Sequence, residues 1–204
     1  MSIMAKKTIN SALEIFREKG GLLSYKEAIG LGIAPSTLYS MADNNILQRL
    51  SRGIYALPEK AFAGNTDLLI VSKKIKLAVI CLVSALYFHN LTTFVPREVY
   101  LALPQHYRRP RINFPPIKII WLSQSIYETG IEKHDLINTS IKVYSIEKTI
   151  ADCFKFRKKI GLDIAVSALK ESHRDQRLNL ERLIYYSKID RVTNIIAPYL
   201  ETLM

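Results

Sequence analysis

Apolar residues recur at helical spacing near the start of the chain. In the stretch TINSALEIFREK, Ile9, Leu13 and Phe16 stand at positions i, i+4 and i+7. This spacing places the three side chains on one face and predicts an amphipathic helix over residues 8–19. The two glycines that follow predict its end, because glycine readily adopts the left-handed backbone found there.

Two shorter helices are predicted next. Ser24 and Glu27 have the S-x-x-E spacing of a capping box, so a helix is expected to begin at Tyr25 and to end at Gly30. Pro35 suits the first turn of a third helix, over residues 35–44, because its missing N–H has no intrahelical partner at that position.

The stretch ILQRLSRGIYAL contains two short β-leaning runs around Ser51, Arg52 and Gly53. A three-residue loop with a glycine in the left-handed conformation is typical of a β-hairpin. Three helices followed by a hairpin is the element order of a winged helix-turn-helix. The same order also fits a small α+β subdomain with no nucleic-acid role.

Beyond a connector at residues 59–66, helix and strand patterns alternate before the chain becomes helical. Helices are predicted over 67–72 and 77–89, strands over 97–104 and 117–123, a hairpin within 129–145, and helices from Ile146 onward. We therefore predict an α+β fold with two domains. Residues 1–60 form a winged helix-turn-helix, and residues 61–204 form a mixed α+β domain whose last third is helical.

The net charge of +11 over 204 residues narrows the choice of partner. The chain has 29 Lys and Arg against 18 Asp and Glu, an excess that favours nucleic acid, an acidic protein or an anionic membrane surface. Cys81 and Cys153 lie far apart and outside any CxxC pattern, which argues against a disulfide framework or a structural zinc. The longest apolar run, residues 77–88, is too short to span a bilayer, and the N-terminus lacks the apolar core of a signal peptide. These features predict a soluble, cytoplasmic protein.

In a winged helix-turn-helix the second helix of the motif enters the major groove. On the helix over residues 35–44, Leu38 and Met41 are the expected core anchors. The expected DNA contacts are the hydroxyl-bearing residues Ser36, Thr37, Tyr39 and Ser40. No Arg, Lys or Gln lies on this helix, so specificity is expected to be modest or to depend partly on DNA shape. The alternative is that Ser36 and Thr37 only cap the helix.

The hairpin supplies the charge that this helix lacks. Arg49, Ser51 and Arg52 are expected to contact DNA, because an arginine beside a glycine at a wing tip can follow the phosphate backbone or enter the minor groove. Lys26 is expected to add a backbone contact. An exposed arginine in a turn is also common without any partner.

Two further basic segments lie in the larger predicted domain. The loop QHYRRPRINFPP carries Arg108, Arg109 and Arg111, and the stretch KFRKKIG carries Lys155, Arg157, Lys158 and Lys159. Either segment can face DNA or an acidic protein partner. Alternatively, the second segment only complements the dipole at the end of a helix.

Catalytic and metal-binding patterns are missing from the sequence. The four histidines have no metal-ligand spacing, and no P-loop, GxGxxG or GxSxG motif occurs. Glu147, Asp152 and Lys155 fall in one predicted helix, but their spacing does not place all three on one face. We expect no enzymatic activity, no cofactor and no metal.

Three segments resemble the AbiEi family of antitoxin-type transcriptional regulators of type IV toxin–antitoxin systems. They are NNILQRLSRGIYALP, AVICLVSALYFHNLT and IKVYSIEKTIADCFKFRKKIGLDIAVSALKE. The resemblance implies a winged domain that binds double-stranded DNA at inverted repeats upstream of its own operon and represses it. It also implies a C-terminal domain that counters a toxin of the nucleotidyltransferase class, and it assigns no catalytic residues.

Within this resemblance, structural roles are expected for His89, as a helix-end hydrogen bond, and for Asp152, as a cap or ion-pair partner. The alternative function is a stand-alone winged-helix transcription factor whose C-terminal domain senses a ligand or mediates assembly. A third hypothesis is a nucleic-acid-processing enzyme that uses the basic helical region.

Overall fold

A computed structural model describes residues 3–60, 65–136 and 139–203 of the chain. Within these residues the helices are α1 (Ile3–Glu18), α2 (Tyr25–Gly30), α3 (Pro35–Asp43), α4 (Thr66–Lys74), α5 (Leu82–Phe88), α6 (Gln124–Tyr127), α7 (Ile146–Lys155), α8 (Arg157–Ile160), α9 (Leu162–Arg174), α10 (Leu180–Ile189) and α11 (Thr193–Glu201). The strands are β1 (Leu22–Ser24), β2 (Gln48–Ser51), β3 (Ile54–Ala56), β4 (Val79–Ile80), β5 (Val99–Pro104), β6 (Ile117–Leu122), β7 (Ile131–Leu136) and β8 (Thr139–Tyr144). Two sheets and many helices confirm the predicted α+β class.

The first sheet is antiparallel and has the strand order β1-β3-β2. The three predicted helices and the hairpin are present in the predicted order, whereas β1 has no counterpart among the predicted elements. Leu22 and Leu23 of β1 are buried, and Leu22 pairs with Ala56 of β3. A strand of three residues is too short to display a period, so the pattern of apolar positions misses it.

Helix α2 begins with the predicted capping box. Ser24 Oγ accepts a hydrogen bond from the Glu27 backbone N–H (3.3 Å), and Glu27 Oε2 accepts one from the Ser24 N–H (2.7 Å). Helix α3 begins at Pro35, and its N-cap residue is Ala34, whose side chain makes no capping bond. Ser36 and Thr37 lie inside the helix, so neither of them occupies the capping position.

The second sheet is mixed and has the strand order β6-β5-β4-β8-β7. The predicted helix over residues 77–89 is wrong in its first half, because Val79–Ile80 forms the central strand β4 and α5 starts only at Leu82. A continuous apolar run has no distinguishing period, so a buried strand resembles a buried helix in the sequence. The predicted hairpin is present as the antiparallel strands β7 and β8, and residues 137 and 138 lie outside the described residues.

The chain from Ile146 onward is helical, as predicted, but residues 146–161 form two helices rather than one. The break falls at Phe156, between α7 and α8. Helix α7 packs against α5, α9 and α10 and is buried over most of its length. Its polar side chains therefore need partners inside the protein. Across the part of the chain that the structure describes, no helix is both long and apolar enough to cross a membrane.

One hydrophobic cluster connects the N-terminal sheet to the rest of the chain. Leu22 and Ile54 of that sheet pack with Leu69 of α4 and Val143 of β8. The predicted boundary at residue 60 coincides with the end of a 3₁₀ turn, Pro58–Lys60. Part of the predicted connector, residues 61–64, lies outside the described residues. The shared cluster holds the β2–β3 hairpin against the larger sheet.

Candidate nucleic-acid interface

Helix α3 is fixed by two apolar anchors on one face. Leu38 and Met41 are fully buried in a cluster that includes Phe16 of α1 and Tyr55 of β3. The i, i+3 spacing of these anchors turns the opposite face of the helix outward, as the sequence pattern predicts.

The four hydroxyl-bearing residues of α3 differ in their exposure. Ser36 is exposed, whereas Thr37 and Ser40 are half-buried. Tyr39 is 48% exposed, and its ring stacks on Tyr25 with a centroid distance of 6.1 Å. The Ser40 carbonyl oxygen accepts a 2.7 Å hydrogen bond from the Asn44 side chain. Ser36 and Tyr39 are thus the two residues of this set that α3 presents most openly.

The turn of the hairpin consists of Arg52 and Gly53, since Ser51 still belongs to β2. Gly53 has φ +75°, the left-handed conformation that a glycine at this position permits. Its carbonyl oxygen accepts a 2.8 Å hydrogen bond from the Tyr25 N–H, which places the turn beside the start of α2. Arg49, Arg52 and Lys26 are all exposed.

Ser51 differs from its neighbours because it is 8% exposed. Its Oγ donates to the Phe114 carbonyl oxygen (3.2 Å) and accepts from Lys74 Nζ (2.5 Å). The hydroxyl is therefore engaged inside the protein. It holds the hairpin against the following part of the chain.

The segment from Gln105 to Pro116, which we term the arginine loop, lies beside the hairpin. Tyr107, Arg108, Arg109 and Arg111 line a cleft of about 470 Å³ together with Lys74 of α4. All three arginines are exposed, and burial lowers the pKa of Lys74. Lys74 and Phe114 both contact Ser51, so the loop and the hairpin form adjoining surfaces. Sequence reasoning does not find this pairing, because Ser51 and Phe114 are 63 positions apart.

The second basic segment is in a different environment. Lys155 Nζ lies 2.9 Å from Asp190 Oδ1, and Arg157 Nη1 donates to the Phe154 carbonyl oxygen at 2.9 Å. Lys158 and Lys159 are exposed. Among the described residues, the contacts of this segment do not join it to the arginine loop, and the two segments line separate clefts.

A buried charge cluster lies behind the second basic segment. Lys148 Nζ is fully buried and lies 2.5 Å from Asp152 Oδ1 and 3.0 Å from Asp190 Oδ2. Burial raises the pKa of Asp152 to about 7. The Asp190 carboxylate also raises this pKa, whereas the Lys148 ammonium lowers it. Burial lowers the pKa of Lys148, but the two carboxylates outweigh it and raise that pKa overall. Asp152 is thus an ion-pair partner, one of the two roles that the resemblance implies.

Lys148 and Asp190 are two charged residues of this buried cluster that the sequence analysis does not predict. The i, i+4 spacing of Lys148 and Asp152 is a signal for their pairing on one helix. The 42-residue separation between Lys148 and Asp190 leaves no such signal. Glu147 has other partners, since it accepts from the Asn179 N–H at 3.2 Å. The acidic residues of α7 therefore diverge and do not form a common site.

His89 ends helix α5 and is buried. Its Nε2 lies 2.8 Å from the Tyr144 carbonyl oxygen, which can only accept, so this nitrogen carries the proton. Burial lowers the pKa of His89. Within residues 3–60, 65–136 and 139–203, no group of three His, Cys, Asp or Glu side chains is placed to hold a metal ion.

Comparison with known families bears on the segment that carries the hairpin and α3. No curated protein matches the chain significantly. Residues 10–58 match a family model described as "Transcriptional regulator, AbiEi antitoxin", and the match runs from within α1 to just beyond β3. The resemblance predicted from the sequence is confirmed over this segment, since residues 10–58 are similar to the AbiEi family of antitoxin-type transcriptional regulators.

Proposed function

We propose that the chain is a DNA-binding transcriptional repressor in which α2, α3 and the β2–β3 hairpin act as a winged helix-turn-helix. The observation that supports this best is a continuous line of contacts. Tyr39 of α3 stacks on Tyr25, whose N–H bonds the hairpin turn at Gly53. At the end of the adjoining strand, Ser51 bonds Phe114 of the arginine loop. Helix, wing and loop are thus neighbours, as one DNA-contacting surface requires.

The charges on these elements suit a polyanion. The cations are Lys26, Arg49, Arg52, Lys74, Arg108, Arg109 and Arg111. Of the nearby acids, Glu27 is neutralised by Lys73 at 2.8 Å, and Asp43 is exposed at the end of α3. The excess of positive charge favours phosphate contacts, which supply most of the affinity for DNA and make it depend on salt.

Only a few side chains on α3 and the hairpin are placed to contact DNA bases in this proposal. Ser36 and Tyr39 are exposed on α3, and a hydroxyl bonds either a base edge or a phosphate. Arg52 at the wing tip is suited to the minor groove, where width depends on sequence. We infer that Ser51 positions the wing rather than touching DNA, because its hydroxyl already has two protein partners.

We further propose that the operator is an inverted repeat upstream of the protein's own gene, and that the protein counters a nucleotidyltransferase-class toxin in the cytoplasm. The family match over residues 10–58 supports this regulatory role. Lys158 and Lys159 are exposed, and they remain the candidates for contact with an acidic protein partner.

The deciding experiment is a gel shift of the full chain with its upstream DNA and with a scrambled duplex of equal length. We expect a shift of the upstream DNA at lower protein concentration, weakening by at least about tenfold between roughly 50 and 200 mM salt. No shift at low salt would overturn the repressor proposal. Growth rescue on co-expression with a neighbouring nucleotidyltransferase-like gene tests the antitoxin part separately, and failure to rescue would overturn that part alone.

A further inference from the structure

A cleft of about 690 Å³ is lined by residues of α6, α7 and α10, and it shares no lining residue with the cleft at the arginine loop. The residue after β6 and helix α6 form one wall, with Ser123 and Ser125, and helix α10 contributes Tyr185. The lining also includes Lys155, Asp190 and Arg191. A volume of this size accommodates a small organic ligand, for which pockets of about 300–1,000 Å³ are usual.

The charged groups at the cleft carry a net positive charge. Asp190 uses one carboxylate oxygen for Lys155 (2.9 Å) and the other for the buried Lys148 (3.0 Å). Lys148 in turn also pairs with Asp152. Three cations, counting Arg191, therefore stand against two carboxylates, and any proton on Asp152 increases the excess. An anionic group is therefore favoured beside these cations.

The paired carboxylate also holds the Lys155 ammonium in place. Lys155 is half-buried, and a fixed ammonium loses less conformational freedom on binding an anion than a mobile surface lysine does. Arg191 is exposed, and its backbone has φ +57°, in the left-handed region. Two cations of this kind suit a phosphate group.

Hydroxyls and an aromatic ring also line the cleft. Ser123 Oγ and Ser125 Oγ lie 3.5 Å apart, and Ser125 is exposed. Tyr185 is 57% exposed, in contrast to its buried neighbour Tyr186, against which it packs edge to face at 5.3 Å. An aromatic ring left this open can stack on a planar ligand.

We propose that this cleft binds a nucleoside phosphate, with Lys155 and Arg191 on the phosphate, the serine hydroxyls on the sugar and Tyr185 stacked on the base. The site goes beyond the proposed repressor function and does not rest on it. A bound nucleotide would make the helical part of the chain a ligand-responsive element.

The test is calorimetric titration of the full chain with AMP, GMP, CMP, UMP and the corresponding triphosphates. We expect at least one of them to bind with Kd of about 1 mM or tighter. Inorganic phosphate and the free nucleosides, titrated separately, should each bind at least about tenfold more weakly than that nucleotide. If inorganic phosphate binds as tightly as every nucleotide, the proposed stacking of the base on Tyr185 is wrong.

Two variants make the test specific. Arg191→Asn removes the charge while keeping a residue that tolerates positive φ, and Tyr185→Ala removes an exposed ring. Each should weaken nucleotide binding about tenfold. The matched control, Lys170→Ala, removes an exposed cation of α9 outside the cleft lining and should leave binding unchanged. Equal binding by wild type, Arg191→Asn and Tyr185→Ala, or no binding of any nucleotide by the folded wild type, overturns the proposal, whereas gel shifts report on the repressor function independently.

Discussion

Ser51 Oγ donates a hydrogen bond to the Phe114 carbonyl oxygen at 3.2 Å, and this contact joins the hairpin to the arginine loop. Lys74 strengthens the junction, since its Nζ lies 2.5 Å from the same hydroxyl. The junction brings Arg52 at the hairpin turn and the three arginines of the loop onto adjoining surfaces. Both groups should therefore contribute to one DNA contact, and their contributions are separable by mutation.

Arg52→Ala should weaken DNA binding through the loss of one phosphate or minor-groove contact. We expect affinity for the upstream DNA to fall about five- to tenfold and the slope of log K against log salt to decrease by about 1. The measurement is a set of gel shifts at several salt concentrations. Lys170→Ala, which removes an exposed charge on α9, is the control and should match the wild type. An unchanged slope in Arg52→Ala would remove the wing from the interface.

Replacing Arg108, Arg109 and Arg111 together by alanine should lower affinity for specific and scrambled DNA alike. Contacts to phosphates carry no sequence information, so the ratio of the two affinities should stay constant while the salt slope falls by about 2–3. Lys158→Ala with Lys159→Ala serves as the comparison, because these exposed cations belong to the other basic segment. If that double variant loses as much salt slope as the triple variant, the DNA contact lies there instead.

The elements that are predictable from the sequence are those with local signals. The capping box at Ser24, the proline that starts α3 and the glycine at the hairpin turn each act within four residues, and each is present in the structure. Strand β4 has no comparable signal. It is two residues long and exists because Ile80 pairs with Leu101 on one side and Val143 on the other.

The candidate site also combines features that the local sequence predicts with features that depend on distant contacts. Exposure of Ser36 and Arg52 follows from local pattern and turn chemistry. The burial of Ser51 follows from a contact across 63 positions, which no periodicity encodes. The position of Lys155 in its cleft similarly depends on Asp190, which lies at the end of another helix, α10.

Lys148→Met should destabilise the protein strongly. It leaves the buried Asp152 without its charge partner and removes one of the two partners of Asp190, and breaking such a pair costs roughly 3–5 kcal/mol. Lys155→Met is the matched variant, because it removes the more exposed lysine while Asp190 keeps Lys148, and it should cost about 1 kcal/mol. Urea unfolding of both variants gives the comparison. Equal destabilisation by the two variants would contradict the central role of Lys148.

Asp152 should make stability depend on pH in an identifiable way. Burial raises its pKa to about 7 in the folded protein, well above the ordinary value of 3.8, so the folded state holds this proton more tightly than the unfolded state. The contribution of Asp152 to the free energy of unfolding should therefore fall as pH rises from about 4 to about 7, by roughly 2–4 kcal/mol, and change little above that range.

Two other groups act in the opposite direction over part of this range. Burial lowers the pKa of His89, so the folded state disfavours its protonation and stability rises as pH passes upward through the ordinary histidine range. Burial raises the pKa of Glu27, but the Lys73 ion pair and the Ser24 hydrogen bonds lower it overall. This lowered pKa adds stability that is lost only in acid.

The dependence of the free energy of unfolding on pH therefore contains all three contributions, and the difference between wild type and Asp152→Asn isolates that of Asp152. Urea unfolding at about pH 4, 5, 6, 7 and 8 covers the window, and the free energy of unfolding of the wild type should fall relative to that of Asp152→Asn as pH rises. Asp135→Asn, an exposed aspartate of β7, should give a flat difference, and a flat difference for Asp152→Asn would show that the buried carboxyl stays ionised throughout.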